Sequence, residues 1–198
     1  MADTKRRAAA LVSGGLDSML AVRVIQDQGI RVEGLNFYTG FCVEGHTHAI
    51  RRQDQAKQKR NNALWVADQL GIRLHILDVV EDYKDVVLNP RHGYGANLNP
   101  CLDCKVFMVR KASEWMVGHG FDFLISGEVA GQRPMSQRRD TLPVVQDESG
   151  IGDLLLRQEV GRHGVYLHAG REGDRADGRV RQHVHVVHLG HVGDLLEL

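Results

Sequence analysis

Short apolar runs alternate with amphipathic stretches along most of this chain. Ala8–Val12 is continuously apolar, as in a strand buried on both faces. Asp17–Gln28 then carries Leu20, Ala21, Val24 and Ile25 at helical spacing, with Gly29 as its stop. Val32–Phe37 predicts a second strand, and the polar segment Tyr38–Asn62 follows it. Ala63–Leu70 predicts a helix ended by Gly71, Arg73–Asp78 a third strand, and Tyr83–Leu88 a short helix. Asn89–Pro100 is rich in Gly, Asn and Pro, which predicts a loop. Cys101–Val117 has helical spacing at Phe107, Met108, Lys111, Ala112 and Trp115. Phe121–Ser126 predicts a fourth strand, and Leu154–Leu156 begins a fifth.

Strands that alternate with helices imply an α/β fold, a doubly wound parallel sheet with helices on both faces. Ligands in such sheets bind beyond the strand C-termini. The turn at Ser13, the segment after Phe37, the loop near Cys101, and Ser126-Gly127-Glu128 are therefore expected on one rim.

The 198 residues carry a formal net charge of zero, so nucleic acid would be met by a local basic patch rather than by the whole molecule. No apolar run reaches the length of a membrane span, and Met1–Arg7 is polar and basic with no export signal. Three cysteines, Cys42, Cys101 and Cys104, suit a reducing cytoplasm, where such thiols are catalytic or metal-bound. Residues 158–198 differ from the rest. They lack Lys, Ser, Thr, Asn, Ile, Phe, Trp, Pro and Cys, and hold six of the eleven histidines. The division expected is a domain over 1–157 and a His/Arg/Gly-rich tail over 158–198. Three readings of the tail stand: a frame-shifted coding sequence, a solvated tail, and a metal-binding tract at His183, His185, His188 and His191.

The most informative string is Ser13-Gly14-Gly15-Leu16-Asp17-Ser18, between the first strand and the first helix. Strand, glycine turn and helix start make a phosphate cradle, because free N–H groups and the helix dipole favour an anion there. Gly14 and Gly15 let the backbone bend sharply and lie close to a ligand, and Ser13 and Ser18 add hydroxyls. Asp17 either caps the helix or faces a magnesium ion. No Gly-Lys-Ser/Thr follows, so this is not a Walker loop, nor is it a dinucleotide fingerprint.

A second signal is Asn99-Pro100-Cys101-Leu102-Asp103-Cys104-Lys105. Pro100 disfavours helix in Asn99, so a helix starts near Cys101 and both thiols sit in its first turn. A helix N-terminus and the Lys105 charge favour the thiolate. The pair suits a sulfur carrier, a redox dithiol, or ligation of zinc or an iron–sulfur cluster. Cys42 is expected on the same rim. It allows a three-thiolate [4Fe–4S] site with Cys101 and Cys104, or a zinc site with His46 or His48, which otherwise belong to a solvent loop.

With these residues in view, the chain resembles the PP-loop ATP pyrophosphatases. Over about residues 6–157, SGGLDS and NPCLDCK are similar to the tRNA 2-thiouridylases. Ser126-Gly127-Glu128-Val129-Ala130-Gly131-Gln132 and Met135-Ser136-Gln137 are similar to the tRNA 4-thiouridine synthases. Such proteins are often labelled thiouridylate methyltransferases, although no glycine-rich methyl-donor site is visible. The resemblance implies that ATP, with Mg2+, adenylates a uridine carbonyl oxygen and that sulfur from a persulfide carrier or sulfide then displaces AMP. It implies an ATP site at Ser13, Gly14, Gly15, Leu16, Asp17 and Ser18 with Phe37, Ser126 and Gly127. Cys101 and Cys104 would act with Asp17 in catalysis. Cys104 matches the thiouridylase cysteine, while Cys101 stands where many members have Asp, a departure that favours the cluster-using branch. A second, downstream catalytic cysteine of the thiouridylases has no match after Cys104.

The expected tRNA contacts are Arg51, Arg52, Arg133, Arg138 and Arg139, with Lys5, Arg6, Arg7, Lys57, Lys59 and Arg60 as further basic residues. Glu128 is expected to meet ribose or magnesium. Two rival functions remain open at this level. One is an amidotransferase-type ligase that adenylates a small molecule. The other is a nucleotide-binding, redox-sensing module without turnover.

Overall fold

A computed structural model of the chain describes residues 6–40, 62–95, 100–129, 137–161 and 164–169. In chain order the elements are β1 (Arg7–Leu11), α1 (Leu16–Gln26), β2 (Arg31–Tyr38), α2 (Asn62–Gln69), β3 (Leu74–Asp78), α3 (Val80–Leu88), α4 (Cys101–Gly118), β4 (Phe123–Val129), α5 (Leu142–Ser149), a 3-10 turn (Gly152–Leu154), β5 (Leu155–Gly161) and β6 (Gly164–Ala169). The strands form one sheet in the order β3-β2-β1-β4-β5-β6.

β1 to β5 run parallel, as the alternation of strands and helices predicts. β6 departs from that expectation and pairs antiparallel with β5. Only two residues separate Gly161 from Gly164, which is enough for a hairpin and far too few for a parallel crossover. β5 also runs to Gly161, four residues past the boundary expected at 157, and β6 lies wholly within the segment read as a tail.

Alternation along β1 sorts the core into two layers. Ala8 and Ala10 face α1 and α2, with Val12, Val22, Ile25, Val66, Phe123, Ile125 and Leu156. Ala9 faces α3, α4 and α5, with Leu35, Phe37, Tyr83, Phe107, Val109, Met116, Leu124 and Val145. Small side chains in the central strand let helices pack closely on both sides, which makes the sheet doubly wound.

At the N-terminal end of the sheet, buried Glu33 meets Arg31 at 2.8 Å, His75 at 2.7 Å and Arg7 at 3.6 Å. Arg7 covers the Phe121 ring at 4.0 Å, and Trp115 stacks on His119 at 4.1 Å. Burial raises the Glu33 pKa, but the hydrogen bond from His75 and the charge of Arg31 outweigh it and hold the carboxyl below its ordinary value. This end lies opposite the strand C-termini. No helix among the described residues is long and apolar enough to cross a membrane.

Candidate nucleotide and thiol site

The strand order reverses between β1 and β4, which opens a crevice at their C-terminal ends. The turn after β1 starts from a fixed point. The Val12 N–H donates to the Leu35 carbonyl at 2.9 Å, and Asn36 Nδ2 donates to the Val12 carbonyl at 2.8 Å. Gly14 has φ +79°, and a Cβ built there would lie 2.5 Å from Asn62 Cβ and 2.7 Å from the Asn62 carbonyl carbon. Its lack of a side chain thus lets the turn tuck against α2. Gly15 is extended, with φ −91° and ψ 159°, and forms the N-cap of α1 without any side-chain hydrogen bond. A Cβ on Gly15 would meet nothing nearer than Ser13 Oγ at 3.6 Å.

Two expectations for this turn change. Asp17 does not cap the helix: it lies two residues inside, past the N-cap position, and the cap has no side-chain acceptor. Ser18 is buried, and its hydroxyl donates to the Gly15 carbonyl at 2.8 Å. That hydroxyl holds the turn and is not available as a donor to a ligand. Ser13 Oγ reaches Ser18 Oγ only at 3.5 Å and is itself exposed. The N-terminus of α1, without a side-chain cap, faces the crevice with its backbone donors, an arrangement suited to phosphate. Leu16 is exposed beside it.

β4 supplies the other wall. A Cβ on Gly127 would lie 2.5 Å from Ser18 N, 2.6 Å from Ser18 Cα and 2.7 Å from the Asp17 carbonyl carbon. The strand therefore touches the backbone of the first turn of α1. Ser126 shares its face of β4 with Leu124 and points to the α4 side; it is fully buried and its Oγ has no partner among the described residues. Phe37 is part of the core on that same side, packed with Val79 and Tyr83 rather than presented on the rim. The next residue, Tyr38, is exposed.

Glu128 is 3% exposed and lies between two cations. Lys105 Nζ is 3.2 Å from Oε1, and Arg157 Nε is 3.4 Å from Oε2. The Lys105 contact is an ion pair without the alignment of a hydrogen bond. Arg157 further donates to Gln146 Oε1 at 3.0 Å and to the Leu142 carbonyl at 3.1 Å. Burial lowers the Arg157 pKa against the pull of Glu128. Both Glu128 oxygens thus face cations of the chain itself. Lys105, expected beside the thiols as a spare charge, is engaged by Glu128.

Pro100 is the N-cap of α4 and Cys101 its first residue, as the sequence predicts. Cys104 follows one turn on, its N–H donating to the Pro100 carbonyl at 2.8 Å, and both thiols are partly buried. Asp103 between them is buried and looks back along the chain. It accepts from the N–H of Arg91 at 3.2 Å and of His92 at 3.0 Å, and faces His92 Nδ1 at 3.0 Å. His92 Nε2 and Arg91 reach Glu148 of α5 at 3.1 and 3.4 Å. Nothing in the sequence pattern singles out His92 or Glu148; an acid in a first helical turn reads only as a partner of the dipole.

Among the described residues no group of three His, Cys, Asp or Glu side chains is placed to hold a metal ion. Cys42, His46, His48, Arg51, Arg52 and Arg133 lie outside the described residues, so the three-thiolate and zinc expectations rest on positions not described here. Arg138 and Arg139 are exposed, and Arg138 forks onto Asp140 at 3.0 and 2.8 Å.

Residues 6–149 match the family described as tRNA methyl transferase, HUP domain. The chain belongs to this family. A tRNA-specific 2-thiouridylase MnmA of Marinobacter nauticus is 30% identical over 163 residues, covering 80% of this chain and 38% of the relative. One of Mycobacterium bovis is 30% identical over 169 residues, covering 79% and 43%. The chain thus spans about two fifths of the length of these curated relatives. A 4-thiouridine synthetase, solved in complex with RNA and with bound ATP, shares the fold of this HUP domain with a TM-score of 0.52 at 22% identity, covering 72% of this chain and 34% of that one.

Proposed function

We propose that this HUP domain is the ATP-using part of a tRNA sulfurtransferase, which adenylates a uridine carbonyl and replaces its oxygen with sulfur. One observation carries the reading: β4 joins two chemistries. Gly127 abuts the phosphate-type turn, and Glu128, next in sequence, grips the residue after Cys104. The relatives' names and the RNA- and ATP-bound fold neighbour support the same substrates.

The crevice suits ATP because the N-terminus of α1, without a side-chain cap, offers backbone donors where negative charge develops. In the first step the uridine carbonyl oxygen attacks the α-phosphorus, the bond to the bridging oxygen breaks, and pyrophosphate leaves. Asp17, partly buried and free of a capping role, is the residue that would hold Mg2+, an ion that neutralises phosphate charge when bound. In the second step a persulfide on one cysteine attacks the activated carbon, the carbon–oxygen bond breaks, and AMP leaves with the oxygen. The other thiolate of the Cys101–Cys104 pair then attacks the carrier sulfur. A disulfide forms, thiouridine is released, and a cellular thiol restores the pair. A persulfide carrier passes its outer sulfur to the cysteine thiolate and leaves as a thiol; sulfide, as the alternative donor, would attack the activated carbon directly and displace AMP without a persulfide, and the setting is the cytoplasm. A [4Fe–4S] cluster would need Cys42 as a third thiolate beside Cys101 and Cys104. The activity is assigned to the domain expected over residues 1–157, with the rest of β5 and β6 completing its sheet.

Cys101→Ser and Cys104→Ser test the reading. Each should bind ATP as the native chain does and lose thiolation of tRNA. Normal thiolation by either variant would make that cysteine structural. Iron and acid-labile sulfide that leave together in Cys42→Ala would replace the persulfide pair with a cluster. ATP cleavage that ignores tRNA but activates a small acid would point to a ligase.

A further inference from the structure

We propose that Glu128 and Lys105 form a positioning link that holds the cysteine helix in register with the nucleotide cradle, so that a bound nucleotide is sensed at the thiols. The inference rests on the sulfurtransferase reading above.

The link is short and has no slack at either end. Gly127 touches the backbone of Asp17 and Ser18 so closely that no side chain fits between them. Glu128 follows directly, and its Oε1 meets Lys105 Nζ at 3.2 Å. Lys105 adjoins Cys104 in the first turns of α4. A shift of the α1 N-terminus on phosphate binding therefore moves Gly127, and with it the carboxylate that faces Lys105. Arg157 holds the other oxygen of Glu128 and is anchored on Gln146 and Leu142, so the carboxylate cannot simply swing after Lys105. The opposite side of the cysteine turn is fixed independently, by Asp103 on the Arg91 and His92 amides. A helix start held at two sides, one of them ion-paired to the strand that packs on the cradle, transmits a displacement rather than absorbing it. Glu128 and Lys105 act through their neighbours, Gly127 and Cys104, which makes them positioning rather than catalytic residues.

Glu128→Gln leaves Arg157 buried beside a neutral amide and risks misfolding. Lys105→Met is the cleaner test, because Lys105 is partly exposed and the Glu128–Arg157 pair survives. Two readouts are taken on the full chain: ATP binding by calorimetry, and the rate of alkylation of Cys101 and Cys104 by iodoacetamide with and without ATP. Native protein should show an alkylation rate that ATP changes at least threefold. Lys105→Met should bind ATP within twofold of native and lose that response, and tRNA thiolation should fall at least tenfold with the KM for ATP unchanged. Lys105→Arg should restore both. An ATP response in Lys105→Met equal to native overturns the link even if thiolation is never observed. A native chain whose thiols ignore bound ATP overturns it as well. Native chain that couples ATP to its thiols yet never thiolates tRNA overturns the proposed function and leaves the link standing.

Discussion

Gly127→Ala should cripple ATP use, and the size of the effect follows from the packing. The added Cβ would sit 2.5 Å from Ser18 N and 2.7 Å from the Asp17 carbonyl carbon, whereas ordinary contact begins near 3.4 Å. About 0.9 Å must therefore be absorbed. The obstructing atoms are helix backbone, so no flexible side chain can give way, and the first turn of α1 must move. Overpacking of this kind costs about 1–3 kcal/mol of stability. A displacement near 1 Å of positioned groups costs on the order of a hundredfold in rate. Gly15→Ala is the matched control, because its Cβ meets nothing closer than 3.6 Å and its φ of −91° suits any residue. Release of AMP and pyrophosphate, followed together with thermal unfolding, separates the two. Gly127→Ala should lose about two orders of magnitude in kcat/KM for ATP, and Gly15→Ala should unfold as native does. Native turnover and native stability in Gly127→Ala would refute the contact between β4 and the cradle.

Asp17→Ala should keep the fold, since Asp17 makes no cap bond, and reduce AMP release on the order of a hundredfold; undiminished release would remove Asp17 from the site. Glu33 should make stability depend on pH. Its carboxyl is held below the ordinary 4.5, so the stabilisation is present above that value and is lost as pH falls through the depressed one. Glu33→Gln should cost on the order of 1–3 kcal/mol at neutral pH, with the contribution of the exposed Arg31 reduced by solvent screening. It should also flatten the acid limb of denaturation curves taken between about pH 5 and pH 3; equal acid slopes in variant and native chain would contradict the Glu33 cluster.

Patterns of short range were legible, and cross-strand partnerships were not. Ala8–Val12, Asp17–Gln28 and the rest of the strand–helix alternation gave five parallel strands and placed the Ser13 turn and the Cys101 helix on one rim. Pro100 marked the start of α4 to the residue, because the stiffness of proline acts locally. The cations beside Glu128 escaped because Lys105 and Arg157 are 23 and 29 residues away, and only the fold brings them together. Asp103 was read past for the same reason: its ligands are the amides of a loop, which carry no side-chain signature. Ser18 has a residue type that binds phosphate or stabilises a turn equally well, and only the 2.8 Å bond to Gly15 decides between them. β6 escaped because glycine- and histidine-rich composition hides the alternation of a strand.

Splitting of ATP at its α-phosphorus to activate a uridine of tRNA would leave AMP and thiouridine as paired products. The most direct measurement supplies α-labelled ATP, tRNA and a sulfide source to the full chain, and follows labelled AMP and thiolated nucleoside together. AMP and thiouridine should appear in equal amounts, and both should be lost in Gly127→Ala. ADP as the product, or AMP release with no sulfur entering tRNA, would contradict this reaction.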